Sequence, residues 1–261
     1  MPFYRNCIQF GHPRFRKFAV PFLLMTSGLL LAGPASGDTE NKGVSIFNGK
    51  DLSGWVGAPG WWKVEDGALT AESTKERPCK KCNYLVWTGG KPADFELECD
   101  FKLSAAGNSG IQLRSEKRPD FDTFGYQADM MGDGSLVGFV YHHKLGLVAG
   151  RGQQVNITPE GKRDVTPLAD PAELLTHFKK EDWNHYRVVC QGPEITVTLN
   201  GTLMCKITDH DAGTAAREGI IALQMHPGPP MKVQFRNLFL KELKSPDPKL
   251  KSPPSKPEDT P

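Results

Sequence analysis

The chain has 261 residues, 38% of them hydrophobic and 24% charged, a balance that fits a globular protein and excludes a disordered or fibrous one. Its formal charge of +2 takes its sign from residues 1–37, which hold Arg5, Arg14, Arg16 and Lys17 and no acid; without those four cations the charge is −2. Nothing in the remainder is basic enough to mark nucleic acid or an anionic membrane as a partner.

Residues 1–37 are set aside first. Arg14, Arg16 and Lys17 precede an apolar run from Phe18 to Leu31, and small residues follow at Ala35, Ser36 and Gly37. A basic start, a short run interrupted by Pro21 and Gly28, and a small-residue end read as a cleavable signal peptide rather than a membrane anchor. A periplasmic or secreted protein is therefore expected, and Pro34 stands where a lipoprotein would carry its lipidated Cys.

From Val44 to Leu243 the chain reads as one domain of short strands. Trp55, Trp61 and Trp62 are suited to stacking on sugar rings, although packing is the commoner fate of Trp. Cys79-Lys-Lys-Cys82 lacks a second CxxC and a nearby His pair, which favours a loop-closing disulfide over zinc. Phe95, Leu97, Cys99, Phe101 and Leu103 point one way, with Glu96, Glu98, Asp100 and Lys102 opposite.

Two strands then carry unusual polar groups. In NSGIQLR (Asn108 to Arg114), Ile111 and Leu113 face a core, which leaves Gln112 and Arg114 together on the other face. In GYQAD (Gly125 to Asp129), Tyr126 and Ala128 share one side, Gln127 and Asp129 the other. Two amides, a guanidinium and a carboxylate suit a polyhydroxylated ligand; the plainer alternative is a structural Arg114–Asp129 ion pair.

Next come Tyr141, His142 and His143. The histidines are adjacent, so in a strand only one can face a cleft. The spacing predicts one helix, with Asp170 as cap, Pro171 at its first position and Glu173 at its third, leading into Leu174, Leu175 and Phe178. Tyr186 to Val189 alternate, and Ile195, Val197 and Leu199 run up to Asn200-Gly201, a hairpin signal, with Leu203, Cys205 and Ile207 returning. Cys190 and Cys205 can be bridged only if their strands come together. Asp209-His210-Asp211 has metal-type residues but sits in a turn-like stretch. Along Ile220 to Met225, Gln224 and then His226 lie opposite Ile221, Leu223 and Met225. Val233 to Leu243 is the last strand, and residues 244–261 form a Pro/Lys-rich tail expected to be disordered. Many short strands, glycine turns and a single connector helix mean an all-β sandwich.

A resemblance follows from segments that occur in a fixed order. They are FNGKDLSGW (Phe47 to Trp55), WKVEDGAL (Trp62 to Leu69), DFELECDFKL (Asp94 to Leu103), NSGIQLR, GYQAD, WNHYRV (Trp183 to Val188), LNG (Leu199 to Gly201), GIIALQMH (Gly219 to His226) and FRNLFLKEL (Phe235 to Leu243). Over residues 44–243 the chain resembles the 3-keto-disaccharide hydrolase family. The resemblance implies a concanavalin A-like jelly-roll β-sandwich of two antiparallel sheets whose concave sheet holds the ligand. It also implies a hydrolase acting on 3-keto-glycosides. The ketone at carbon 3 acidifies the hydrogen on carbon 2, a base removes it, β-elimination expels the glycosidic oxygen, and water adds back.

That chemistry needs a base, an acid and a stabiliser of the enolate. Within the resemblance Asp129 is the first choice for the base, Arg114 for the enolate, and His142 or His143 for the acid. Gln112 and Gln127 recognise hydroxyls, and Asp100, Tyr141, Gln224 and His226 join as substrate contacts. Similar chains commonly carry a Tyr-Asp-Glu-like segment where this one has Tyr141-His142-His143, which puts an acid there in doubt. No cofactor or metal is required, although a jelly roll can hold a structural calcium on Asp and backbone oxygens. The alternative is a non-catalytic carbohydrate-binding module of lectin or laminin-G type. A buried Asp–Arg–His cluster would favour the enzyme, and a shallow Trp-lined groove without a titratable floor the binder. The sugar, the linkage and the oligomeric state stay open.

Overall fold

The computed structural model describes residues 43–246; the expected signal peptide and most of the expected tail lie outside them. Among the described residues the strands form two sheets. The larger runs, edge to edge, through Arg163–Pro167, Gln153–Ile157, Thr202–Asp209, Glu194–Leu199, Asn184–Gln191, Phe95–Leu103, Met231–Glu242, Ala68–Ser73 and Trp62–Glu65, with Val44–Ser45 also paired to Met231–Glu242. The smaller runs through Gly146–Ala149, Phe139–His142, Asp122–Met131, Asn108–Arg118, Ile220–Met225, Asn83–Trp87 and Trp55–Val56.

Apolar alternation is the cause of the layering. In Phe95–Leu103 every second residue is buried, and the burial of Tyr186, Val188 and Cys190 follows the same period in the next strand. These face Ile111, Leu113, Tyr126, Ala128, Leu223 and Met225 of the smaller sheet in one continuous core. Each such side chain contributes about 1.5–3 kcal/mol when removed from water, so a one-residue slip in register would be heavily penalised.

The buried Tyr186 hydroxyl cannot go unpaired in this core. It accepts from the Gly138 N–H at 2.6 Å and donates to the Asp129 carbonyl at 2.8 Å, which crosses from one sheet to the other.

Local signals are realised closely. Asn200 and Gly201 both take positive φ, 48° and 84°, in the turn joining Leu199 to Thr202, as a two-residue hairpin of right-handed strands requires. The helix spans Pro171–Leu175 only, with the Asp170 carboxylate accepting from the Ala172 N–H at 2.7 Å. One pairing departs from the expected antiparallel pattern: Gln153–Ile157 runs parallel to Thr202–Asp209.

The two disulfide candidates are corrected. All five cysteines among the described residues are free thiols. Cys190 and Cys205 pair with Ile195 and Val197 of the strand that lies between them, so a whole strand keeps them apart. The Cys79 thiol bonds the Lys81 carbonyl at 3.1 Å instead of Cys82. No helix among the described residues is long and apolar enough to cross a membrane.

Candidate functional site

The face of the smaller sheet turned away from the core carries a polar cleft of about 350 Å3. Its position follows from register. Gln112 lies opposite Gln127, Gln127 opposite Tyr141, and Gln224 opposite Tyr84, so four neighbouring strands and the one beyond present their polar residues side by side. Gly110 makes room for this: a Cβ there would lie 2.5 Å from the Gln127 side chain.

Gln127 is the hub. Its oxygen accepts from the Gln112 amide, and its own amide donates to Asp129 Oδ1 at 2.6 Å and to Gln224 Oε1 at 3.1 Å. The Gln224 amide in turn donates to the Tyr84 hydroxyl at 2.9 Å. Ser115 donates to the Gln112 oxygen at 2.8 Å, which fixes the far end of the chain of amides. Such a network is fully paired and therefore stiff.

Asp129 sits at the floor, only 8% exposed. Burial pushes its carboxyl up to about 7, against the weaker opposing effect of the Gln127 hydrogen bond. A carboxyl that titrates near neutrality, in a cleft, is matched to proton transfer. Burial also raises the Tyr84 phenol, which keeps it a neutral donor. His143 and His226 line the cleft beside Tyr141. The His143 Nδ1 faces the Gly125 backbone at 3.0–3.2 Å, and the Tyr141 ring meets the His143 ring edge-on at 5.8 Å.

Gln112, Gln127, Asp129, Tyr141, His143, Gln224 and His226 thus come together, and three expected residues do not. Arg114 is displaced by a β-bulge. Leu113 pairs with Tyr126 but Glu116 with Phe124, so Arg114 and Ser115 both oppose Gly125, and Arg114 takes a φ of 46°. The extra residue reverses the facing of the strand. Arg114 consequently bonds the Ala93 and Gly192 carbonyls at 2.6 and 2.7 Å and pairs with Asp94 at 2.9 Å.

His142 pairs with Tyr126 and therefore faces inward, its ring 4.7 Å from that of Tyr126 and its Nδ1 accepting from the Lys144 N–H at 3.1 Å. Burial above all, then the neighbouring His143, lowers its pKa. Asp100 belongs to the larger sheet, where it accepts from Asn237 at 2.7 Å and meets His185 and Arg236 at 3.0 and 3.4 Å.

Tyr84 lines the cleft without having been expected there, as do Cys82, read from the sequence as a disulfide candidate, and Asn108, the first residue of NSGIQLR. The signal was available for Tyr84: in Asn83–Trp87 it alternates with Asn83 and Leu85, and pairing to Ile220–Met225 sets it beside Gln224. The Trp residues serve elsewhere. Trp55 donates to the Ile46 carbonyl at 2.8 Å and Trp62 to Asn83 Oδ1 at 3.0 Å, and no Trp lines this cleft. Asp209 is held by the Tyr126 hydroxyl and the Asp211 N–H. Among the described residues no group of three or more His, Cys, Asp or Glu side chains is arranged to hold a metal ion.

The chain has relatives among known proteins. A 3-keto-disaccharide hydrolase of Bacteroides thetaiotaomicron is 35% identical over 75 residues, a match spanning 26% of this chain and 26% of that protein. The chain thus matches about a quarter of that relative's length. A solved structure of a Parabacteroides distasonis protein, provisionally named a glycosyl hydrolase, superposes with a TM-score of 0.52 at 19% identity. It covers 80% of this chain and 98% of that one, which establishes the shared sandwich fold. The family model for the 3-keto-alpha-glucoside-1,2-lyase-like domain matches residues 42–241, nearly the whole run of strands, and the chain belongs to that family.

Proposed function

We propose that this chain is an exported enzyme that cleaves the glycosidic bond of 3-keto-glycosides, with Asp129 as the proton-transfer group. The observation that carries the reading is a single carboxylate at the floor of an amide-lined cleft, its pKa raised to about 7 by burial. Ordinary glycosidases need two carboxylates flanking the bond, whereas Asp129 has no carboxylate partner among the residues that line this cleft. A route through carbon-2 deprotonation needs only one.

In that route Asp129 takes the proton from carbon 2, and the electron pair moves into the enolate at carbons 2 and 3. Its collapse breaks the bond between carbon 1 and the glycosidic oxygen. The departing oxygen takes a proton from the acid; water then adds its oxygen at carbon 1 and returns a proton to the acid, while the proton held on Asp129 goes back to carbon 2, which restores the saturated ring. Neutral donors suit the enolate here, because Arg114 is committed elsewhere. The Tyr84 hydroxyl, which lines the cleft and accepts from Gln224, is the neutral donor for this role, since both protons of the Gln127 amide are held by Asp129 and Gln224. His143, in the cleft where His142 is not, is the group for the leaving oxygen. The non-catalytic alternative is less favoured, because the cleft has a titratable floor and no Trp. Export rests on the basic and apolar pattern of residues 14–37.

The test is to incubate the protein with a 3-keto-glucoside and with the matching unoxidised glucoside and to follow aglycone release. Release from the keto substrate alone is expected. Equal release from both would remove the deprotonation route, and release from neither would remove the enzyme.

A further inference from the structure

Beside the cleft lies a second cavity, of about 440 Å3, bordered by Ala58, Trp61, Pro78, Lys81, Asn83 and Phe121. One segment, residues 78–84, borders both: Lys81 and Asn83 line this cavity, and Cys82 and Tyr84 line the cleft. The cleft itself, at about 350 Å3, is near the small end of ligand pockets, which run from about 300 to 1,000 Å3. It suits one sugar ring. The other half of a disaccharide must lie outside it.

Two aromatic rings border the second cavity, Trp61 from the rim of the core and Phe121 from a turn. Trp61 is only half-buried, and the Arg77 guanidinium covers its ring at 4.1 Å while bonding the Gly60 carbonyl. Phe121, also half-buried, follows Asp120, and both take left-handed φ, 58° and 59°. Asp visits that region with some ease, but a bulky residue there is an outlier. The turn is nevertheless well held: the Asp122 N–H bonds the Pro119 carbonyl, Lys81 pairs with Asp120 at 3.4 Å, and the turn packs against Asn83–Trp87. Backbone strain maintained in this way clusters at ligand clamps, and here it sets a second aromatic ring beside the first.

We infer that Trp61 and Phe121 form the leaving-group subsite, which takes the second pyranose ring of a disaccharide by stacking while the oxidised ring lies over Asp129. Lys80 and Lys81 at the rim supply ammonium donors to its hydroxyls. The assignment rests on the cleft being the site of bond cleavage, and the experiment separates the two claims.

Kinetics are measured on 3-keto-maltose and on methyl 3-keto-α-glucoside, whose leaving group is too small to reach Trp61. Trp61→Ala should raise KM for 3-keto-maltose about 10-fold or more, the usual cost of truncating an aromatic anchor, and leave the methyl glycoside unchanged. Phe121→Gly should act in the same sense, and it supplies the residue that left-handed φ favours; it carries the test alone if circular dichroism shows that the Trp61 variant does not fold. Equal effects on both substrates, or none on either, overturn the subsite. If the wild-type protein cleaves neither substrate, the cleavage reading fails and calorimetric titration with maltose and methyl α-glucoside decides the subsite separately. Maltose binding weakened about 10-fold by the substitutions supports it on the same ground; unchanged binding, or no maltose binding to the wild type, overturns it.

Discussion

Asp94 and Asp129 are both carboxylates with little access to water, and they are held in opposite ways. Asp94 accepts from the Arg114 guanidinium at 2.9 Å and from the Gly192 N–H at 2.7 Å, on the side of the bulged strand away from the cleft. Asp129, on the neighbouring strand, accepts from an uncharged Gln127 amide. A buried charge met by a guanidinium is a brace. A buried charge met only by an amide is costly to keep ionised, and so it becomes a proton acceptor of unusual strength. The contrast between brace and base decides which carboxylate does chemistry.

The sharpest way to break that contrast is Asp129→Asn. The amide keeps the shape but cannot accept the carbon-2 proton, and turnover should fall about 100- to 10,000-fold, the range for loss of a general base. Binding of a substrate analogue should change much less. In the wild-type protein kcat/KM should rise with pH and level off above about 7, because the base acts only when ionised. Steady-state kinetics across pH 5–9 check both. A variant that keeps more than about a tenth of wild-type turnover, far outside that range, would move the base to His143.

Arg114→Leu tests the other half. Removing one partner of a buried pair leaves the Asp94 charge uncompensated, along with the Ala93 and Gly192 carbonyls that the guanidinium served. Urea unfolding should show a loss of about 3–5 kcal/mol, with kcat of the folded fraction within a few-fold of wild type. A variant of full stability and collapsed kcat would instead return Arg114 to the reacting centre.

Much of this was legible in the sequence because it depends on local period. The alternation of Phe95–Leu103, the Asn200-Gly201 turn, the Asp170 cap and the shared face of Gln112, Gln127 and Asp129 are all consequences of two or three neighbouring residues. What escaped depends on pairing between distant segments. Period within a strand assigns a face but not a sheet, and so Asp100 had the right alternation on the wrong layer. Adjacent histidines announce that one faces the cleft, but only the pairing of Tyr126 with His142 decides which. The bulge at Arg114 left a trace in Gly125, where a Cβ would lie 2.4 Å from the Ser115 hydroxyl, yet that clash exists only once the register is known. Tyr84 is distinguished only by its neighbour Gln224.

The smallest effect concerns stability, and its sign is opposite to that of the kinetic one. The folded protein holds the Asp129 proton to about pH 7, whereas an unfolded chain releases it near 4. Below pH 4 the carboxyl is protonated in both states and contributes nothing. As pH rises from 4 to 7 the unfolded state ionises first, and the folded state loses stability relative to it. Above 7 the penalty is constant, at most about 4 kcal/mol for a shift of about three pH units. Asp129→Asn mimics the protonated carboxyl in shape and removes this penalty. Its melting temperature should therefore match that of the wild type near pH 4, exceed it increasingly up to about pH 7 and hold that margin at pH 8. Because Gln127 keeps an oxygen to bond, little should be lost in exchange. Thermal melts at pH 4, 6 and 8 read the difference directly. A variant that is equally stable, or less stable, at pH 8 would mean that the carboxylate is already compensated in the fold, and Asp129 would then be a brace like Asp94.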